Sequence, residues 1–127
     1  MEPKQPHKPV RTFRDLIVWQ KAMELAREIY RVTKQMPADE RFGLTNQMRR
    51  AAVSIPSNIA EGNARQTLLD YLKFLRVARG SMAELSTQME LAISMKMLSP
   101  PPTLLPLLNE VGLILQSLIM SLQKKRE

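Results

Sequence analysis

Leu68-Leu69-Asp70-Tyr71-Leu72-Lys73-Phe74-Leu75-Arg76-Val77-Ala78-Arg79-Gly80-Ser81-Met82-Ala83-Glu84-Leu85-Ser86-Thr87-Gln88-Met89-Glu90-Leu91-Ala92 carries the most regular apolar pattern in the chain. Leu68, Tyr71, Leu75, Ala78, Met82, Leu85, Met89 and Ala92 follow one another at steps of three and four. Residues so spaced lie along one side of an α-helix, and a seam sustained for more than three heptads asks for partner helices along its length. It predicts a helix on the order of 40 Å long. Thr67 and Asp70 stand at capping-box spacing just before it, with Asp in place of the commoner Glu.

Partners lie on both sides of this stretch. Downstream, Ser99-Pro100-Pro101-Pro102 is a stiff connector. Beyond it Leu104, Leu108, Val111, Leu115, Leu118 and Leu122 form a second seam, with Pro106 in the first turn, where a missing N–H costs little. Upstream, Leu44, Met48, Ala51, Ala52, Ile55 and Ile59 mark another helix. Pro56 inside it predicts a kink, and Gly62-Asn63 predicts a left-handed cap at its end. The first helix opens at the capping-box spacing Thr12–Asp15, carries Leu16, Trp19, Met23, Ala26 and Tyr30 on one stripe, and closes at Met36-Pro37. Helices are thus expected at about 13–36, 39–62, 67–98 and 103–123, within a domain over 12–123. A flexible basic Pro-rich tail (1–11) precedes it and a basic tail (124–127) follows. The expected fold is all-α, an antiparallel up-down-up-down four-helix bundle.

Composition limits the chemistry. The 127 residues include no Cys and one His, His7, which lies among Pro3, Pro6 and Pro9. Thiolate nucleophiles, Cys metal sites, histidine triads and Glu-x-x-His di-iron sites all lose their residues, so neither metal, cofactor nor enzymatic activity is expected. The polar start offers no signal sequence, and no uninterrupted apolar run approaches the ~20 residues that span a bilayer. A cytoplasmic location without membrane contact is the expectation.

Two groups of residues stand out beyond the core. On the second helix Gln47, Arg50, Ser54, Ser57, Asn58 and Glu61 form a polar strip beside the apolar stripe, and Asp70, Ser81, Glu84 and Gln88 share one arc of the third. The expected role of Gln47, Arg50, Ser54, Asn58, Glu61, Ser81 and Glu84 is structural, because partly buried polar groups need partners. The second group is basic: Arg11, Arg14, Arg49, Arg65, Lys73, Arg76 and Arg79 are candidates for phosphate contacts with RNA or DNA. Of the net charge of +7, residues 1–14 hold +3 and the rest is spread thinly. No row of aromatics suited to base stacking accompanies it. Leu69, Phe74, Val77, Leu91 and Met95, with Leu107, Leu113 and Ile119, lie off the main seams and suggest burial against a second copy.

Phe13-Arg14-Asp15-Leu16-Ile17-Val18-Trp19-Gln20-Lys21-Ala22 and the stretch from Phe42-Gly43-Leu44 through Arg49-Arg50-Ala51-Ala52-Val53-Ser54-Ile55-Pro56-Ser57-Asn58-Ile59-Ala60-Glu61-Gly62 resemble the bacterial four-helix bundle proteins, also called 23S ribosomal RNA intervening-sequence proteins. Asp70-Tyr71, Phe74-Leu75, Ala78-Arg79-Gly80-Ser81 and Glu84-Leu85 continue the likeness, which covers about residues 12–122. Ser86 departs from it, where the family often has a second Glu. The resemblance implies a cytosolic, non-enzymatic bundle assembled as a ring-like homo-oligomer, a pentamer, with an architectural role for Trp19, Arg49, Arg50, Ser54, Pro56, Asn58, Glu61, Gly62, Arg65, Gly80, Ser81 and Glu84. The accessory protein of diversity-generating retroelements, which binds nucleic acid, is a more distant likeness. The expected function is nonspecific RNA or DNA binding by an oligomer whose assembly multiplies the basic surface. The alternative is a protein–protein interaction scaffold with no nucleic-acid role.

Overall fold

The computed structural model describes residues 10–126, and every regular element among them is helical. The four long helices are α1 (Ile17–Val32), α2 (Leu44–Asn63), α3 (Leu68–Ser94) and α4 (Leu104–Arg126). Each packs on its neighbours in the order α1–α2–α3–α4, and α4 closes back on α1. Short links force neighbours to run antiparallel. At one end of the bundle the link after α1 is tied to the link after α3. Gln35 Nε2 donates to the Ser99 carbonyl at 3.1 Å, and the Ser99 N–H donates to Gln35 Oε1 at 2.9 Å.

Helix ends differ from the sequence expectation for local reasons. The Thr12–Asp15 capping box exists, but it closes a separate 3-10 turn, Phe13–Asp15; extended Leu16 follows, and α1 starts only at Ile17. Ala38–Glu40 is likewise a 3-10 turn, so α2 begins at Leu44, whose N–H the Glu40 carboxylate accepts at 3.0 Å. The third helix stops at Ser94, short of the expected 98. Lys96 there takes the left-handed conformation, φ 58°. The Lys96 N–H reaches the Ile93 carbonyl and the Met97 N–H the Ala92 carbonyl, the paired bonds of a Schellman stop. At the far terminus the basic segment expected as a tail continues α4 to Arg126. Of the expected N-terminal tail, residues 1–9 lie outside the described chain.

Packing follows the predicted seams on α2 and α3. Met48, Ala51, Ala52, Ile55 and Ile59 of α2 are buried, as are Leu75, Ala78, Met82, Leu85, Met89 and Ala92 of α3. On α4 the seam drifts: Leu107 and Ile119, expected off it, are buried, while Leu118 is half-exposed. A straight helix of 3.6 residues per turn slips against a strict seven-residue repeat, so the buried line moves sideways along 23 residues. Pro56 is buried inside an unbroken α2. Gly62 is no left-handed cap; it is helical, and a Cβ there would lie 2.8 Å from Phe74 Cβ. Its bare backbone is what lets α3 pass so close.

The first helix corrects the reading most. Its fully buried line is Val18, Ala22, Leu25, Ile29 and Val32. The expected stripe lies one step around the helix, sharing only Ala26 with the buried set, and Tyr30 is exposed. Trp and Tyr carry a polar atom that seeks water, so the wide apolar arc puts its aliphatic side inward and its aromatic side at the rim. Trp19, Met23 and Tyr30 face Val53, Pro56 and Ala60 of α2 across an open groove of about 560 Å³.

Candidate nucleic-acid interface

An even number of antiparallel helices returns the chain to the end from which it started. The entry to α1, the α2–α3 link and the exit of α4 therefore share one end of the bundle. Dividing each helix at its middle, that half holds, among the described residues, Arg11, Arg14, Lys21, Arg65, Lys73, Arg76, Arg79, Lys124, Lys125 and Arg126. Against these ten stand Asp15, Glu24, Glu61 and Asp70, which leaves +6. The other half sets seven basic residues against six acidic ones and is left with +1. Charge spread thinly along the sequence is thus concentrated in space. Three of these cations also have a local reason to be where they are: Lys124, Lys125 and Arg126 occupy the last turn of α4, where the helix dipole is negative.

Most of these groups face water, and Lys21 and Arg65 are paired with carboxylates. Arg14 lies over the Phe13 ring at 4.6 Å, and Phe13 itself meets Trp19 edge-on with ring centres 5.3 Å apart. Arg65 bonds Glu61 at 3.0 Å and covers the Phe74 ring at 4.8 Å. Lys21 pairs with Glu110 at 3.5 Å. Arg79 donates to Gln116 Oε1 at 3.0 Å, and Lys73 is exposed. Arg49 is placed differently. It sits in the other half, with Nε donating to Thr33 Oγ1 at 2.9 Å and its guanidinium 4.8 Å from the Tyr30 ring centre. There it stitches α2 to the end of α1.

The polar strip divides. Ser54 and Ser81 share a hydrogen bond of 2.8 Å across α2 and α3, and Asn58 Nδ2 donates to both the carbonyl and the Oγ of Ser54. Gln47, Arg50 and Glu84 lie exposed beside this seam, and Glu61 turns to Arg65. Among the described residues no three His, Asp or Glu side chains gather as a metal site would need.

Residues 14–119 match the family model of the 23S rRNA-intervening sequence proteins. The chain belongs to that family. No curated protein matches it. In this 23S rRNA-intervening sequence protein, five of the seven basic candidates, Arg11, Arg14, Arg65, Lys73 and Arg76, come together at one end with Arg79 at its edge. Lys21, Lys124, Lys125 and Arg126 join them and were not among the candidates. The signal for the last three was available, because four antiparallel helices bring the chain's exit beside its entry.

Proposed function

We propose that this protein is a non-enzymatic, self-associating bundle of the cytoplasm that holds RNA or DNA by its phosphates at its basic half. The observation that carries the reading is the imbalance of +6 against +1 between the two halves. Phosphate contacts of Lys and Arg release counterions and need no base-reading motif, so such a pole binds without regard to sequence. Self-association draws support from apolar residues left uncovered on α3 and α4. Leu69, Val77, Leu91 and Met95 of α3, with Leu105, Leu113 and Met120 of α4, are exposed large apolar side chains. Burying them against further copies removes that surface from water and sets several basic poles side by side. A closed ring of five is the assembly proposed. Among the described residues one helix, α4, is long and apolar enough to cross a membrane, and its buried residues Leu104, Leu107, Leu108, Val111, Leu115, Ile119 and Leu122 belong to the bundle core.

Salt-titrated binding to ribosomal RNA and to unrelated duplex DNA tests the reading. The double variants Lys73→Gln/Arg76→Gln and Lys124→Gln/Lys125→Gln are each expected to weaken both complexes and to lower the salt slope by about one for every phosphate left without its cation. Lys34→Gln/Arg41→Gln, at the opposite end, leaves both unchanged. Absence of binding at low salt, or equal weakening from both ends, overturns the reading. Light scattering reads the assembly, and monomer mass at micromolar concentration overturns that part alone.

A further inference from the structure

Two hollows of opposite character meet on α1 and α2. The groove already described is lined by Trp19, Met23, Val53, Pro56 and Ala60, with Arg27 and Arg31 on its α1 side. Tyr30 and Val53 also line a second hollow of about 500 Å³, whose other residues are Asn46, Arg49, Arg50 and Ser54. Four arginines and no carboxylate line the two together. We propose that the double hollow binds an anionic amphiphile, a single-chain fatty acid. Its carboxylate lies among the arginines beside Tyr30, and its alkyl chain runs along the groove toward Trp19.

The order of polarity along the helices carries the assignment. Because α1 and α2 run antiparallel, Trp19 and Ala60 mark one end of the groove and Tyr30 and Arg49 the other. From Trp19 to Tyr30 α1 advances about 16 Å, room for an extended alkyl chain. The four arginines lie within one turn of Tyr30 on α1 or precede Val53 on α2. The cation nearest Trp19 in sequence, Lys21, is turned away to Glu110 of α4. The site is thus cationic at one end and apolar at the other. Small-molecule sites share this make-up, an apolar lining with a few polar groups that fix orientation.

The cationic end is also prepared for an anion. Arg49 is held before any ligand arrives, with Nε donating to Thr33 Oγ1 at 2.9 Å and the guanidinium 4.8 Å from the Tyr30 ring centre. Little side-chain freedom is then lost on binding. Arg31 is matched by Glu28, but Arg27 and Arg50 are exposed and make no ion pair among the described residues. Guanidinium groups suit a carboxylate, which accepts two of their N–H bonds at once. A free carboxylate or phosphate would use the arginines and leave Trp19 and Met23 in water. A neutral hydrocarbon would cover the groove and leave the arginines unmatched. Only a ligand with both parts satisfies both hollows, and its chain gains the burial of apolar surface.

Trp19 is the only tryptophan, so its fluorescence reads the far end of the site directly. The probe is dodecanoate below its micelle concentration, at a pH where the carboxylate is ionised. Saturable protection of Trp19 from acrylamide is expected, weakening about twofold to fourfold for each methylene removed from the chain. Dodecanoate brominated at the methyl end quenches Trp19 on binding, whereas bromine beside the carboxylate leaves it bright. Arg27→Gln/Arg50→Gln weakens dodecanoate about tenfold and leaves dodecanol unchanged. Far-ultraviolet circular dichroism checks the fold of the variant; should it lose helix, the ligand series on the parent chain decides alone. Absence of saturable binding overturns the proposal, as does equal binding of dodecyltrimethylammonium or equal quenching by the two brominated acids. So does a response to anionic phospholipid vesicles without one to dodecanoate, because the ligand is then a membrane surface. Emission of the ligand-free protein that shifts on dilution also overturns it, since a second copy then covers the groove. None of these readouts involves nucleic acid, so they stand apart from the function proposed above.

Discussion

Helix α2 is flanked by two seams built on opposite plans. Toward α3 it presents Ser54, Asn58 and Gly62, and the two helices come close enough for Ser54 and Ser81 to bond directly at 2.8 Å. Toward α1 it presents Val53, Pro56 and Ala60 to Trp19, Met23 and Tyr30, and an open groove remains. Side-chain size at the contact sets how near two helices can approach, so small residues seal one seam while bulky rings prop open the rim of the other. The sealed side gains rigidity from backbone proximity and a short polar network. The open side keeps apolar surface available for something else to cover.

The sharpest way to break this contrast is to add a methyl group to the sealed seam. In Gly62→Ala the new Cβ would meet Phe74 Cβ at 2.8 Å and the Tyr71 carbonyl at 3.2 Å, and neither is the loose end of a flexible side chain. Overpacking of this kind costs about 1–3 kcal/mol, and Gly62→Val costs more. Gly80→Ala is the paired control: nothing lies within 4 Å of its added Cβ. There the gain in helix propensity is expected to stabilise the separate chain by about 1 kcal/mol. Denaturant midpoints at unchanged slope measure both. Stabilisation by Gly62→Ala as large as that by Gly80→Ala would mean that α2 and α3 are not in close contact at Gly62.

These two glycines also show what could be read in advance. Both sit in helical pattern, and sequence offers no way to tell a glycine that a neighbouring helix requires from one that nothing in the chain requires. Gly62 was open to misreading as a helix stop because Gly-Asn is a common cap; its true reason lies nine to twelve residues downstream, in Tyr71 and Phe74. The α3 seam was legible because its periodicity is narrow and strict. The α1 stripe was not, because Val18, Ala22, Leu25 and Ile29 run beside Trp19, Met23 and Tyr30, and periodicity alone cannot say which half of a wide apolar arc points inward. Of the candidate interface, the individual cations could be named from sequence. Their concentration at one end could not, since it follows from the parity of helix directions rather than from any local run of charge. Arg49 went the same way, drawn to Thr33 and Tyr30 by a contact sixteen residues away in sequence.

A smaller change tests the polar part of the sealed seam. Ser54→Ala removes the partner of both Ser81 and Asn58 and is expected to cost about 1 kcal/mol or somewhat more, Ser81→Ala about 1 kcal/mol. The double variant should cost less than the two single effects added, because they share one bond; additivity would mean that the two hydroxyls act separately. On the open seam the counterpart is Val53→Ala. Val53 is 42 % exposed, so its truncation is expected to shift stability by about 0.5 kcal/mol or less. A destabilisation as large as that of Ser54→Ala would show that something already covers the groove in solution.

The finest distinction comes from pH. Tyr71 packs against Gly62 on the sealed side, and burial pushes its phenol above the ordinary value near 10, a shift that the hydrogen bond from Asn63 Nδ2 at 3.2 Å partly offsets. A phenol that ionises less readily in the folded state than in the unfolded state makes folding weaker as the solution turns alkaline. The folded chain then holds a proton that the unfolded chain has released, so stability is intact below pH 10 and declines as pH rises through and beyond that value. Tyr71→Phe removes the ionisation along with the Asn63 bond. The variant is expected to begin slightly less stable at neutral pH and to lose less between pH 9 and 11 than the parent chain. Chemical denaturation at stepped pH reads the difference in slope, in which the titration of lysines common to both proteins cancels. Parallel slopes would place the Tyr71 hydroxyl in contact with water, and the sealed seam would then end short of Gly62.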